Sequence, residues 1–218
     1  MLNNQINTTR IMVLCEESGI VRRAFRQAGA NWVWSVDLLP SEDDDPHHIQ
    51  GDVFDVLDNF EETCNHVNGV ALDLIIAFPP CTYMASSGNR WYSKSQKRLN
   101  AVDWTLRLWD RCKDLSSFVA MENPVGVLST ALRKHDPHMI ESSVHPWQHG
   151  HGESKQTKLF LSRLPKLLPT NIVAGREQKI WKMGPSKERS KMRSKTYVGI
   201  AKAMTQWLPY IQAMKGVK

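Results

Sequence analysis

Leu72-Asp73-Leu74-Ile75-Ile76-Ala77-Phe78-Pro79-Pro80-Cys81 is the stretch that decides the fold. Residues 72–78 are apolar except for Asp73. Such a nearly continuous apolar run reads as a strand covered on both faces, the pattern of a parallel sheet. Pro79 and Pro80 stop it, because each proline fixes its own φ and restricts the residue before it. The loop that follows is therefore stiff, and it presents a thiol, Cys81, at the carboxyl edge of the sheet.

The pattern repeats on both sides of this stretch. Upstream, residues 11–15 form a short apolar run, followed by a Glu16-Glu17-Ser18-Gly19 turn. Residues 21–28 then have helical spacing, and Gly29 ends the helix. Residues 32–36 form the next strand and deliver Asp37 at its end, before a loop at 40–46 with the acidic cluster Asp43, Asp44 and Asp45. Gly51-Asp52-Val53 then leads into a short helix through Phe60. Downstream, residues 93–114 read as an amphipathic helix, with Leu99, Val102, Leu106, Trp109 and Cys112 on one stripe. Residues 118–121 form a strand ending at Glu122-Asn123-Pro124. A helix at 127–135, strands at 139–144 and 158–161, and a helix at 201–214 interrupted at Pro209 complete the reading. Alternating strands and helices predict an α/β fold with a mostly parallel central sheet, which binds ligands at its carboxyl edge.

A chain of 218 residues allows one sizeable core. No apolar run approaches the ~20 residues needed to span a bilayer. The first ten residues are polar and lack the apolar core of a secretory signal, so they read as a tail on a cytoplasmic protein. The four cysteines, Cys15, Cys64, Cys81 and Cys112, form no Cys-x-x-Cys pair, which points to reduced thiols. The net charge of +6 is compatible with an anionic partner. Within residues 176–195, Arg176, Lys179, Lys182, Lys187, Arg189, Lys191, Arg193 and Lys195 face only Glu177 and Glu188, with Trp181 among them. That run reads either as a solvated loop or as a segment that contacts phosphates.

The Cys81 and Glu122 loops follow neighbouring strands, so they belong on one sheet edge. A thiolate beside a carboxylic acid suits attack on a pyrimidine: sulfur adds at C6, C5 becomes nucleophilic, and a proton held at N3 stabilises the developing charge. Burial would keep such a carboxyl protonated. Asp37 and Asp52 read singly as caps or turn residues, and jointly, at successive strand ends, as a site for a ribose and an adenine. His145, His149 and His151 have no common zinc spacing and read as loop histidines that contact substrate or water, with no metal expected. Trp104 and Trp109 read as core or interface, and Trp91 as either a packing residue or a surface that stacks a base.

On these residues the chain resembles the cytosine-C5 DNA methyltransferases, in particular the short members carried by phages and prophages. Pro79-Pro80-Cys81 matches the family's proline-cysteine loop, and Glu122-Asn123-Pro124 its Glu-Asn-Val step. Residues 15–20 stand in the place of its cofactor loop, Asp37 in that of its ribose-binding acid, and Gly51-Asp52-Val53 in that of its Gly-Asp-Ile step. Residues 148–161 stand where the family has a basic motif and a strand, and Val198-Gly199-Ile200-Ala201 where it has a closing Gly-Asn step. There are departures as well: Gly19 is alone in its loop, Lys155 and Lys158 replace arginines, Ile200 replaces an asparagine, and the large target-recognition domain is missing.

The resemblance implies a Rossmann-like class I methyltransferase fold that uses S-adenosyl-L-methionine. It makes Cys81, Glu122 and Lys158 catalytic. It assigns the cofactor to Cys15, Glu16, Ser18, Gly19, Asp37, Leu38, Asp52, Val53 and Pro79. It assigns the substrate to Pro80, Thr82, Ser87, Arg90, Asn123, Lys155, Arg189 and Arg193. Residues 1–10 are then a tail, 11–165 the catalytic core, 166–196 a basic segment in place of the recognition domain, and 197–218 a helix that completes the core. The implied substrate is cytosine in DNA, flipped out if the DNA is duplex, with RNA or a free nucleotide as alternatives. A second copy or a separate recognition subunit could supply the missing reading function. Another reading is an inactive nucleic-acid-binding or cofactor-sensing protein on the same scaffold. An amino-methyltransferase is a third, but its loop needs a polar residue where this chain has Phe78.

Overall fold

A computed structural model describes residues 9–60, 71–178, 186 and 192–216. Its sheet contains β1 (Arg10–Leu14), β2 (Trp32–Asp37), β3 (His48–Gln50), β4 (Leu72–Ala77), β5 (Ser116–Pro124), β6 (Ile140–Val144) and β7 (Thr157–Ser162), in the order β3-β2-β1-β4-β5-β7-β6. The pairings from β3 through β5 are parallel, and β7 runs antiparallel to both β5 and β6. From β1 the chain winds outward to β2 and β3, and from β4 in the opposite direction to β5. The order therefore reverses between β1 and β4, and such a switch point opens a crevice at the carboxyl edge. The loops after these two strands begin at Cys15 and Phe78.

Alternation along each strand divides the core into two layers. Met12, Leu14, Ile75, Ala77, Val119 and Met121 pack on one side with α2 (Val53–Asp58), α3 (Gln96–Leu115) and α4 (Leu128–His135). Ile11, Val13, Leu74, Ile76, Phe118 and Ala120 pack on the other with α1 (Ile20–Gln27), α5 (Val198–Met204) and α6 (Trp207–Gly216). The mostly parallel α/β expectation holds. β3 was not expected, because three residues are too few to display an alternation.

Local chemistry sets the helix ends. Ser95 caps α3 by accepting from Arg98 N at 3.3 Å, and Asp52 caps α2 by accepting from Phe54 N at 2.8 Å. Gly19 precedes α1 at φ 63° and offers no side chain, so Glu16 reaches forward to accept from Val21 N at 2.6 Å and Arg22 N at 3.4 Å. The stripe expected on α3 is partly wrong: Leu99 is 62% exposed, and the buried face starts at Arg98 and continues through Thr105, Leu108, Trp109 and Cys112. Arg98 turns inward because its guanidinium has partners there, Tyr83 O at 2.7 Å and Asn89 Oδ1 at 2.8 Å. The C-terminal helix breaks at Thr205 and Gln206 rather than at Pro209. Pro209 lies in the first turn of α6, where a missing N–H costs nothing.

Two members of the acidic cluster are paired with α1. Arg22 is fully buried and pairs with Asp43 and Asp45, and Arg23 and Arg26 join it on the same two carboxylates. Removing one partner would leave a buried charge uncompensated, so the network ties α1 firmly to the loop after β2.

Candidate active site

Cys81 and Glu122 reach one place because β4 and β5 are paired in register, Ala77 opposite Met121, and their following loops are tied together. Asn123 Nδ2 donates to Pro79 O at 3.2 Å, Ser86 N to Val125 O at 2.9 Å, and Val127 N to Met84 O at 3.1 Å. Gly126 permits this approach, since a Cβ there would stand 2.1 Å from Met84 O. Cys81 lines a cavity of about 630 Å³, and Glu122 lines a smaller hollow of about 30 Å³. The two adjoin, because residues 193–196 line both.

The electrostatics of the pair follow from burial. Burial pushes the Cys81 thiol up, the nearby Glu122 charge adds to this, and Arg193 and Lys155 oppose it. Burial also pushes the Glu122 carboxyl up, against Lys155 and a hydrogen bond from Thr157. Thr157 Oγ1 contacts Glu122 and also lies 3.2 Å from Asn123 O. The result is a thiol and a carboxyl, both reluctant to ionise, with one lysine ammonium acting on both.

The large cavity extends from Cys81 to the loop after β1, where Cys15 (φ 58°), Glu16, Glu17 and Ser18 line it, and to Asp37 at the end of β2. Cys15 is pushed up to about 12 by burial and then by Asp37 and Asp52, so it remains a neutral thiol. Burial raises Glu16 to about 7 against its bonds to the start of α1. These residues fit an adenosyl cofactor. The volume is that of a small-molecule site, a carboxylate after β2 can accept from ribose hydroxyls, and Leu39 offers an apolar surface that is 54% exposed.

Cys15, Glu16, Ser18, Asp37, Pro80, Cys81, Thr82 and Ser87 line the large cavity, and Arg193 lines both. Glu122 and Lys155 line the small one. Other expected residues stand elsewhere. Lys158 is turned away from Glu122, with its ammonium 2.8 Å from Glu141 Oε1 and 2.9 Å from Ser143 Oγ, because side chains alternate along β7. Leu38 is 66% exposed outside the cavity, and Leu39 takes its place. Gly19 borders Arg22, Arg23 and Asp43, and Val53 is in the core. Asp52 caps α2, although its charge is felt at Cys15. Pro79 and Asn123 are buried and hold the two loops together. Arg90 lies over Trp91 at 5.2 Å. Arg189 lies outside the described residues, as do Trp181, Lys179, Lys182, Lys187, Lys191 and Cys64.

The loop histidines serve the fold rather than the cavity. His149 is buried and bonds Thr170 Oγ1 at 2.9 Å, and His151 Nε2 accepts from Gly199 N at 3.0 Å. Among the described residues, no three His, Cys, Asp or Glu side chains cluster as metal ligands, and no helix is long and apolar enough to cross a membrane. Sequence reasoning missed Thr157, Tyr92, Leu39 and Thr196, and placed Lys195 only in a basic run. For Thr157 a signal existed: it stands two residues after Lys155, at the start of β7.

The reversed sheet and the cavity at its carboxyl edge define the class: the fold is that of the Rossmann-like methyltransferases. No known family profile matches the chain, and no curated protein matches it in sequence. Among solved structures, it matches a protein provisionally assigned as a DNA modification methyltransferase, encoded within an E. coli prophage. The TM-score is 0.51 and the identity 16%, over 82% of this chain and 56% of that one. It also matches the S. pombe Dnmt2 methyltransferase (TM-score 0.49, 16% identity, 87% of this chain and 55% of that one). A third match is the Entamoeba histolytica methyltransferase EhMeth (TM-score 0.45, 11% identity, 78% and 57%). At these identities the likeness is one of fold, and the chain spans little more than half the length of each.

Proposed function

We propose that this chain transfers a methyl group to C5 of cytosine in nucleic acid, with DNA as the first candidate, through a covalent Cys81 adduct. The observation that carries this reading is the tie between the Cys81 loop and the end of β5, where Glu122 stands, beside a cavity that reaches Asp37. Asp37, Cys15 and the Glu16–Ser18 turn would hold S-adenosylmethionine, with Leu39 against its adenine. When bound, that cofactor supplies an electrophilic methyl group.

The chain's own residues do the rest. Cys81, as thiolate, adds to C6, and the C5–C6 electron pair shifts toward C5 and the N3 side of the ring. Glu122, held as an acid by burial, donates to N3 and stabilises the charge that develops there. Lys155 offsets the cost of forming the thiolate. As C5 takes the methyl group, the N3 proton returns to Glu122. A base or water then removes the C5 proton, the electron pair re-forms the C5–C6 double bond, and the Cys81–C6 bond breaks. Residues 166–196 stand in place of a recognition domain in this reading, and residues 197–218 complete the core.

Cys81→Ser is expected to abolish methyl transfer and the covalent adduct with a 5-fluorocytosine substrate. Full activity in that variant would refute the nucleophile. Labelled transfer to duplex DNA, single strands, RNA and free nucleotide identifies the substrate. Tight cofactor binding without transfer to any of them would favour a sensing protein.

A further inference from the structure

Methyl transfer leaves one feature of the cavity mouth unused. Trp91 lines the mouth and is 71% exposed. The Arg90 guanidinium lies 5.2 Å from its ring centroid. The turn that carries Trp91 is anchored through its neighbours. Tyr92 packs edge-on against Tyr83 at 4.9 Å and lines the same cavity. Arg98 holds Tyr83 O and Asn89 Oδ1 from beneath. The segment around it is cationic, although Glu16, Glu17 and Asp37 also line the cavity: residues 79–102 include no aspartate or glutamate, and Arg90, Lys94 and Lys97 are exposed. Arg193 stands on another wall of the cavity.

A solvent-facing aromatic ring among cations, beside the pocket for a reacting base, has the features of a single-strand binding surface. Bases stack on the ring and the cations follow the backbone. In a single strand the base beside the target is free to turn face-on to the indole, whereas in a duplex it is held by pairing and stacking and only the gap left by the flipped base would admit the ring. We propose that Trp91 stacks on the unpaired base adjoining the target cytosine, and that the chain acts on single-stranded nucleic acid. This deepens the proposed reaction and rests on it.

The test is fluorescence anisotropy without cofactor, using short fluorescein-labelled deoxyoligonucleotides with one central cytosine. The arms are the single strand, its RNA counterpart, the annealed duplex, and single strands with an abasic site on either side of the cytosine. Wild-type protein is expected to prefer single strands. Trp91→Ala should lose roughly ten-fold in single-strand affinity, the scale of one base–aromatic stack, and Trp91→Phe should recover most of it. One abasic strand should cost the wild type as much, and cost Trp91→Ala nothing further. Equal or tighter duplex binding, an unchanged Trp91→Ala affinity, or losses that simply multiply would each overturn the proposal. Methyl transfer, followed in parallel, fails separately: strands that stack on Trp91 yet accept no methyl would sink the reaction and leave the platform standing.

Discussion

Cys81 and Glu122 are both displaced toward their protonated forms by burial, yet the chemistry needs one of them ionised. The reactive state, thiolate beside acid, holds the same number of protons as its inverse, thiol beside carboxylate. The rate should therefore follow the fraction of pairs that hold a single proton. A bell-shaped kcat/KM profile is expected, with an acid limb above the ordinary carboxyl value of 4.5 and an alkaline limb above the ordinary thiol value of 9.0. Lys155 lowers both groups, so Lys155→Met should move both limbs upward. Lys158→Met should leave them in place, because that ammonium is engaged with Glu141. A profile that moves with Lys158 and ignores Lys155 would contradict this geometry. Glu122→Gln, which keeps the shape but has no carboxyl proton to give, should lower kcat about 10²- to 10⁴-fold. Titration calorimetry should then find cofactor affinity unchanged.

At the scale of elements, the site depends on contacts between the Cys81 loop and the ends of β5 and β7 rather than on any one helix or strand. Gly126→Ala places a Cβ against Met84 O, and neither backbone can yield without separating the Cys81 and Glu122 loops. A loss of about 1–3 kcal/mol is expected for such overpacking, measured by denaturant unfolding, together with loss of transfer. Gly29→Ala is the control: its φ of 93° is unfavourable to alanine, but nothing lies within 4 Å of the added Cβ. It should cost only the backbone strain, about 1–2 kcal/mol, and leave transfer intact. The elements themselves were legible in sequence wherever their cause is local. The apolar run of β4 stopped by two prolines, and the glycine that ends α1, could be read directly. The stripe on α3 was misjudged at Leu99, because Arg98 turns inward toward partners on another loop that no periodicity records.

Across the whole molecule, a buried acid and a paired surface acid act on stability with opposite sign. Glu16 rises from 4.5 to about 7 on folding. Its contribution is fully present below pH 4.5 and is lost as pH rises through 7, an effect of roughly 3 kcal/mol. Asp43 is held well below the ordinary 3.8, despite the upward push of burial, by Ser41, Arg22 and Arg23. Its contribution is present above pH 3.8 and is lost as pH falls. Stability should therefore peak in mildly acidic solution. Glu16→Gln should flatten the decline between pH 5 and 8 when thermal unfolding is followed across that range. A decline of unchanged steepness would show that another group carries it.

The amino-acid order alone determined the α/β alternation, the stiff Cys81 loop, and the succession of Asp37, Cys81 and Glu122 at strand ends. Hydrophobic period and proline geometry act over a few residues, and so they can be read along the chain. Tertiary structure decided that β7 runs antiparallel, which places Thr157 on Glu122 and turns Lys158 toward Glu141. It also decided that Arg22 is buried among aspartates about 20 positions away. These outcomes depend on pairing between distant segments and on exclusion of water, and neither has a signature in the local sequence.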